Sequence, residues 1–159
     1  MSSTLDFCGA CSRYATGITV ITVLDRHGVP HGMTANSFTS VSLHPPLILV
    51  CIDHAAAILA QFRTGEYMGI NVLRESQQHL SIHFARPGEN GFGEVAWLAG
   101  ETGIPLIPEV LATFECSIVR AIDAGDHTIL IGEVVHARRG EGDPLLYFDR
   151  GYRAMGKPL

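Results

Sequence analysis

Apolar and polar positions fall into short blocks along this chain, and most blocks have the length of strands. Residues Ile18 to Leu24 are all β-branched or aliphatic, which predicts a strand. Asp25 to Gly28 reads as a turn, and Val29 to Phe38 as the strand returning from it. Pro45-Pro46 imposes extended backbone, and the continuously apolar run Leu47 to Ile52 predicts a central strand buried on both faces. Ala55 to Phe62 predicts a helix stopped by Gly65, Tyr67 to Leu73 a strand, and Glu75 to Phe84 a second helix. Ala85 to Pro108 is rich in Gly and Pro, which predicts a long irregular loop of the kind that serves as a lid or binding loop. Two long strands follow, Thr113 to Ile122 and His127 to Ala137, joined by Asp123-Ala-Gly-Asp126. Leu145 to Phe148 predicts a last short strand, and residues 150–159 a peripheral tail. Near the start, Leu5, Cys8, Cys11 and Ala15 are spaced by three and four, as in a short amphipathic helix with these groups on its buried face.

Strands joined by hairpins, with short helices inserted, predict a mainly β protein built on a small antiparallel barrel. A length of 159 residues suits one domain, residues 1–159, with no internal repeat.

Composition narrows the class. Hydrophobic residues make up 47% and charged residues 17% of the chain, so a packed core is expected rather than disorder. The mean hydropathy of +0.22 fits either apolar surface covered in an oligomer or a Val/Ile/Leu-rich β core, and composition leaves both open. The net charge is −5, and basic residues never cluster beyond Arg138-Arg139. A nucleic-acid partner, which requires a basic face, is not expected; a small anionic cofactor needs only local donors. No apolar run has the length of a membrane span, and the first residues lack the pattern of a signal peptide. The expectation is a cytoplasmic protein, away from membranes, with Cys8, Cys11, Cys51 and Cys116 reduced.

Few local motifs carry chemistry. Cys8-Gly-Ala-Cys11 has the spacing of a dithiol centre, but a thioredoxin-like site requires a preceding strand, and a zinc site two further ligands. His79 and His83 lie four apart, yet Leu80 stands where a zincin has its glutamate, so two polar residues on a helix face is the better reading and no metal is expected. There is no P-loop, no dinucleotide-binding glycine fingerprint and no nucleophile elbow. Thr34, Asn36 and Ser37 are small hydrogen-bonding residues where a structural strand favours Val and Ile. They suit either contacts to a flat polar ligand or a polar strand edge.

Longer stretches are more specific. Tyr14-Ala-Thr-Gly-Ile-Thr-Val-Ile-Thr22, His31-Gly-Met-Thr-Ala-Asn-Ser-Phe-Thr-Ser-Val-Ser42 and Pro45-Pro-Leu-Ile-Leu-Val-Cys-Ile-Asp53 resemble the flavin reductase-like domain family. So do Ile70-Asn-Val-Leu73, Phe84-Ala85, Phe114-Glu-Cys116, Gly125-Asp-His127 and Pro144-Leu-Leu-Tyr147, in the family's order from about residue 7 to 152. The resemblance implies an FMN-binding split β-barrel, a six-stranded antiparallel Greek-key barrel, forming a homodimer. It implies an NAD(P)H-dependent reductase of FMN or FAD that supplies reduced flavin to a partner monooxygenase component. The alternative is a split-barrel protein with tightly bound flavin acting as electron carrier, oxidase or sensor. Carried over by position, the flavin-binding residues are Thr34, Ala35, Asn36, Ser37, Cys51, Ile52, Asp53, Ala57, Phe84 and Arg86. His127 becomes the catalytic-site residue that meets the nicotinamide cofactor, NADH or NADPH. The run His54-Ala-Ala-Ala57 replaces the family's usual hydroxyl side chains, and Gly91 replaces a base. The flavin phosphate is then left to backbone N–H groups after His54 and to Arg86.

Overall fold

The computed structural model describes residues 4–86 and 91–157. Its centre is one antiparallel sheet of seven strands: β2 (Thr19–Leu24), β3 (Pro30–Ala35), β4 (Thr39–Leu43), β5 (Pro46–Asp53), β6 (Tyr67–Val72), β9 (Ala112–Ala124) and β10 (His127–Arg139). Their order across the sheet is β3-β2-β6-β9-β10-β5-β4. The sheet curls so that Cα atoms of β3 and β5 come within 8 Å of each other. Its concave face holds one core, in which Ile21, Val23, Ile48, Val50, Ile52, Met68, Ile70, Cys116 and Leu130 are buried together. The architecture is a split antiparallel barrel, as expected, with one strand more than the six implied. The added strand is β4, whose sequence Thr39-Ser-Val-Ser-Leu43 has only the short alternation of Val41 and Leu43, both exposed, to mark it.

Burial on both faces belongs to β2, not to β5. Thr19 to Val23 are all buried, because helix α3 (Gln78–Phe84) and the segment after it cover the outer side of β2 and β6. There Ile18, Val20 and Leu73 pack with Phe84, Phe92, Ile107, Val110 and Leu145 in a second core. On β5, Ile48, Val50 and Ile52 point inward, while Leu47, Leu49 and Cys51 are half-exposed.

The segment from 91 to 110 is largely irregular, as expected, with β7 (Leu98–Ala99) paired to β8 (Pro105–Leu106) and Gly91 bridged to His31. It is not a free lid. Buried Asn71 donates to the Val20 carbonyl (3.0 Å) and accepts from the Ile107 amide (2.8 Å). The Thr22 hydroxyl donates to the Pro105 carbonyl at 2.5 Å, and Gln77 to that of Pro108 at 3.1 Å. Glu115, 2% exposed, accepts from the amides of Glu101 and Thr102 and from the Thr102 hydroxyl.

Both terminal expectations change. Helix α1 (Thr4–Cys11) has no buried residue, and Leu5 is 79% exposed. The chain after it is held where Asp149 meets Ser12 and Arg13. Residues 150–157 are not wholly peripheral: β12 (Gly151–Arg153) pairs with β11 (Leu146–Phe148), which pairs in turn with β1 (Thr16–Gly17), and the Tyr152 hydroxyl lies 2.9 Å from that of Ser81. Helix α2 (Leu59–Thr64) starts later than the alanine run predicted. The Asp53 carboxylate takes the Ala55 amide (2.8 Å) and the Asp53 carbonyl that of Ala56 (3.0 Å), so residues 53–56 form a turn.

Candidate functional site

The C-terminal end of β5, the link from β3 to β4 and the start of β10 meet at one end of the barrel. Register does most of this. Antiparallel pairing of β5 and β10 sets His127 directly opposite Asp53, with Ile129 opposite Cys51. The β9–β10 hairpin closes through a two-residue turn, Gly125-Asp126, since Ala124 pairs with His127. Gly125 has φ of +65° and Asp126 is not in the positive-φ region, the pattern of a type II′ turn with glycine at its first central position. The His54 amide donates to the Asp126 carbonyl at 2.9 Å, clamping the hairpin tip to the end of β5.

Ser37 completes the link on the other side of β5. Its Oγ donates to the Cys51 carbonyl at 3.1 Å and accepts from the Cys51 amide at 3.0 Å. Its neighbour Asn36 is exposed, lies just beyond β3, and its amide has no partner among the described residues. Thr34 and Ala35 sit on β3. The Thr34 hydroxyl donates to the Ser81 carbonyl of α3 (2.7 Å), and the Ala35 carbonyl accepts from the Thr19 hydroxyl (2.8 Å).

Strand alternation divides the three residues of β5. Cys51 and Asp53 face away from the barrel core, whereas the Ile52 side chain is fully buried inside it and offers a ligand only its backbone. Burial pushes the Cys51 thiol pKa up, which favours the neutral thiol packing as a small apolar group. Phe84 is 2% exposed. Its ring lies against Gly32, where a Cβ would stand 2.7 Å from Cε1, and meets Phe92 edge-on at 5.0 Å between centroids. Arg86 is exposed just after α3, next to residues 87–90, which lie outside the described residues.

His127 is half-exposed, and its Nδ1 lies 2.7 Å from the Asp126 carboxylate. The hydrogen bond from His127 holds the Asp126 carboxyl below its usual range.

Ala57 lines a cavity of about 370 Å³ with His54, Ala56, Leu59, Ala60 and Arg63. Sequence reading missed Arg63. Its guanidinium donates to Asp123 at 2.8 Å and to the Thr128 hydroxyl at 3.2 Å, and His54 Nε2 lies 3.1 Å from the same hydroxyl. The Thr128 hydroxyl in turn donates to Asp123, holding that carboxyl low, with the Arg63 charge assisting. No local signal marks this network, because about sixty residues separate Arg63 from its partners.

A larger cavity, about 740 Å³, lies elsewhere, between α3 and the 94–96 and 107–109 segments, with His79 and His83 on its wall. Among the described residues no three His, Cys, Asp or Glu side chains group as metal ligands, and no helix is long and apolar enough to cross a membrane. Cys8 and Cys11 are free and exposed rather than sharing a buried face.

The Asn36 amide, without a partner among the described residues, offers both a donor and an acceptor at this end of the barrel.

Comparison with known proteins shows the family. The flavin reductase like domain matches residues 11–156. A probable flavin reductase of Rhizobium meliloti is 45% identical over 153 residues, covering 94% of this chain and 49% of that protein. The reductase component of a flavin-dependent trigonelline monooxygenase from Acinetobacter baylyi is 43% identical over 125 residues, 79% of this chain and 40% of that protein. The chain thus spans half or less of the length of these two curated relatives. Among solved structures, a Streptomyces globisporus NADH:FAD oxidoreductase in complex with NAD and FAD fragments superposes with a TM-score of 0.90 at 37% identity, covering 96% of this chain and 92% of that one. The chain belongs to the flavin reductase-like domain family.

Proposed function

We propose that this chain is an NAD(P)H-dependent flavin reductase that reduces FMN or FAD and supplies the reduced flavin to a partner monooxygenase component. The observation that carries this reading is the convergence of Asn36, Ser37, Cys51, Asp53 and His127 at one end of the barrel in a chain of this family. Relatives named as reductases of flavin, one of them a monooxygenase component, support the activity and the partner.

When bound, the flavin supplies the hydride acceptor, and the reduced nicotinamide supplies the hydride. The chain's own residues orient and shield. Thr34 and Ser37 have their hydroxyls committed to Ser81 and Cys51, so they rigidify the wall, while the Asn36 amide is the side chain left to meet the ring. Donors there stabilise negative charge on the reduced ring. Cys51 and Asp53 line the floor beside it, with Ile52 and Ala35 contributing main chain. Phe84 backs the wall through Gly32. His127, at the hairpin tip, orients the nicotinamide half of the second cofactor. Ala57 and the His54–Arg63 cavity stand at the phosphate end, with Arg86 the further base on that side.

Residues 1–159 act as one domain and pair as a homodimer in the cytoplasm. Exposed Leu43, Val119, Ile122 and Val135 on β4, β9 and β10 give the pairing an apolar surface.

The test is oxidation of NADH and of NADPH by purified protein, followed by nicotinamide absorbance, with and without added FMN or FAD. Turnover that requires free flavin is the expected result and gives both preferences. Flavin that stays bound through desalting, without nicotinamide oxidation, would sink the reading in favour of a carrier or sensor.

A further inference from the structure

We infer that Asp126 is a positioning residue that fixes the ring tautomer of His127, leaving Nε2 as the atom presented to the nicotinamide cofactor. The inference rests on the reading of His127 given above and adds the cause of its chemistry.

Three observations carry it. The Asp126 carboxylate lies 2.7 Å from His127 Nδ1, the short range of a charge-assisted bond. A carboxylate only accepts, so the proton sits on Nδ1 whether the ring is neutral or charged. The main chain that carries this carboxyl is fixed from behind. Asp126 is the second central residue of a two-residue hairpin turn whose glycine takes the positive φ, and its carbonyl is held by the His54 amide at 2.9 Å. Finally, the ladder places His127 opposite Asp53, and the Asp53 carboxylate is occupied by the Ala55 amide at 2.8 Å. Asp53 is therefore committed to its own turn, and Nε2 has no partner among the described residues.

A neutral His127 then offers a lone pair at Nε2. Such an acceptor suits a neutral donor, the carboxamide N–H of nicotinamide or a ribose hydroxyl. The opposite tautomer would place an N–H there, which cannot accept from the carboxamide N–H and could meet the ribose hydroxyl only as its donor. Asp126 touches neither cofactor in this scheme and acts only through the ring.

The experiment compares ¹⁵N-labelled protein with D126A, D126N and H127A. Two-bond proton–nitrogen correlations of the imidazole report the tautomer, and the signals missing from H127A assign those of His127. The wild-type ring is expected to carry its proton on Nδ1 and the D126A ring on Nε2. The same D126A protein is expected to show about a tenfold higher KM for the reduced nicotinamide, with flavin Kd unchanged. D126N, whose amide oxygen still accepts from Nδ1, recovers most of the loss. A wild-type ring protonated on Nε2 overturns the inference. So does an unchanged KM in D126A beside a raised KM in H127A, which leaves the reading of His127 standing. An unchanged KM in H127A removes that reading and the inference with it. D126N keeps the turn if D126A does not fold, and its wild-type-like tautomer and KM are then the expected outcome, an Nε2-protonated ring the contrary one.

Discussion

Ser37 and Cys51 exchange two hydrogen bonds, hydroxyl to carbonyl at 3.1 Å and amide to hydroxyl at 3.0 Å. One side chain thus does for β5 what a neighbouring strand does elsewhere, at the point where β4 has yet to begin. S37A leaves both main-chain groups of half-buried Cys51 without partners. An unmet pair of this kind costs about 1–3 kcal/mol, and each kcal/mol lowers the melting midpoint of a domain this size by roughly 2–4 °C. S37A is expected to lose several degrees in thermal melts and to bind flavin more weakly. A full Tm with weakened binding would make Ser37 a ligand contact instead.

Glu115 gives the fold a pH dependence with a defined sign. Burial pushes its carboxyl up, but the Thr102 hydroxyl and the Thr102 and Glu101 amides outweigh that and hold it below the ordinary value. A carboxyl lowered in the folded state adds stability that is fully present above the unfolded value of about 4.3 and is lost as pH falls through the folded one. Denaturant midpoints of the wild type should therefore fall on acidification below about pH 5. E115Q should be less stable at neutral pH by about 1–3 kcal/mol and lose less on acidification. Parallel curves for the two proteins would show that other carboxyls set the acid limit.

What was legible in the sequence follows from range. The β9–β10 hairpin, β2, β5 and β6 announce themselves because their apolar runs and turn residues are local. β4 does not, since its alternation is only Val41 and Leu43 and both are exposed at the sheet edge. Anchoring of the 91–110 segment was hidden because Asn71, Thr22 and Glu115 reach it across 13 to 83 residues. Within the site, Asn36, Ser37 and Cys51 were visible as polar or small residues in family-like stretches. That His127 faces Asp53 is set by strand register, and that Arg63 stands beside Ala57 by the packing of α2. Neither is encoded in local spacing.

Gly32 is where the second core touches the candidate flavin wall. A Cβ there would stand 2.7 Å from Phe84 Cε1 and 2.8 Å from Cδ1, so G32A must displace a ring that Phe92 also holds. Overpacking of this kind costs about 1–3 kcal/mol. The displaced ring moves α3 away from Thr34, so flavin Kd is expected to rise together with the loss of Tm. F84L in the G32A background should recover part of both by making room. Failure of F84L to recover either would show that the strain falls on the backbone of β3 rather than on the ring.

Arg63 supplies the last prediction, because its charge is opposed where it stands. Asp123 lies 2.8 Å from the guanidinium, with His54 Nε2 3.5 Å from the same carboxylate oxygen. A flavin phosphate reaching the cavity beside Ala57 meets a cation already half-neutralised and exposed to solvent, where an ion pair is worth about 1 kcal/mol or less. Weak anchoring suits the release of reduced flavin that the proposed function requires. R63A should then raise the Kd of FMN by about three- to fivefold, the equivalent of such a pair, and leave riboflavin, which has no phosphate, unchanged. D123N should act in the opposite direction, tightening FMN by freeing the guanidinium while Asn still accepts from Thr128. Fluorescence titrations with FMN and riboflavin at two salt concentrations check both signs, since screening should shrink the FMN effect alone. Equal changes for the two ligands in R63A would assign Arg63 to holding α2 against β9 and β10, and would move the phosphate to Arg86.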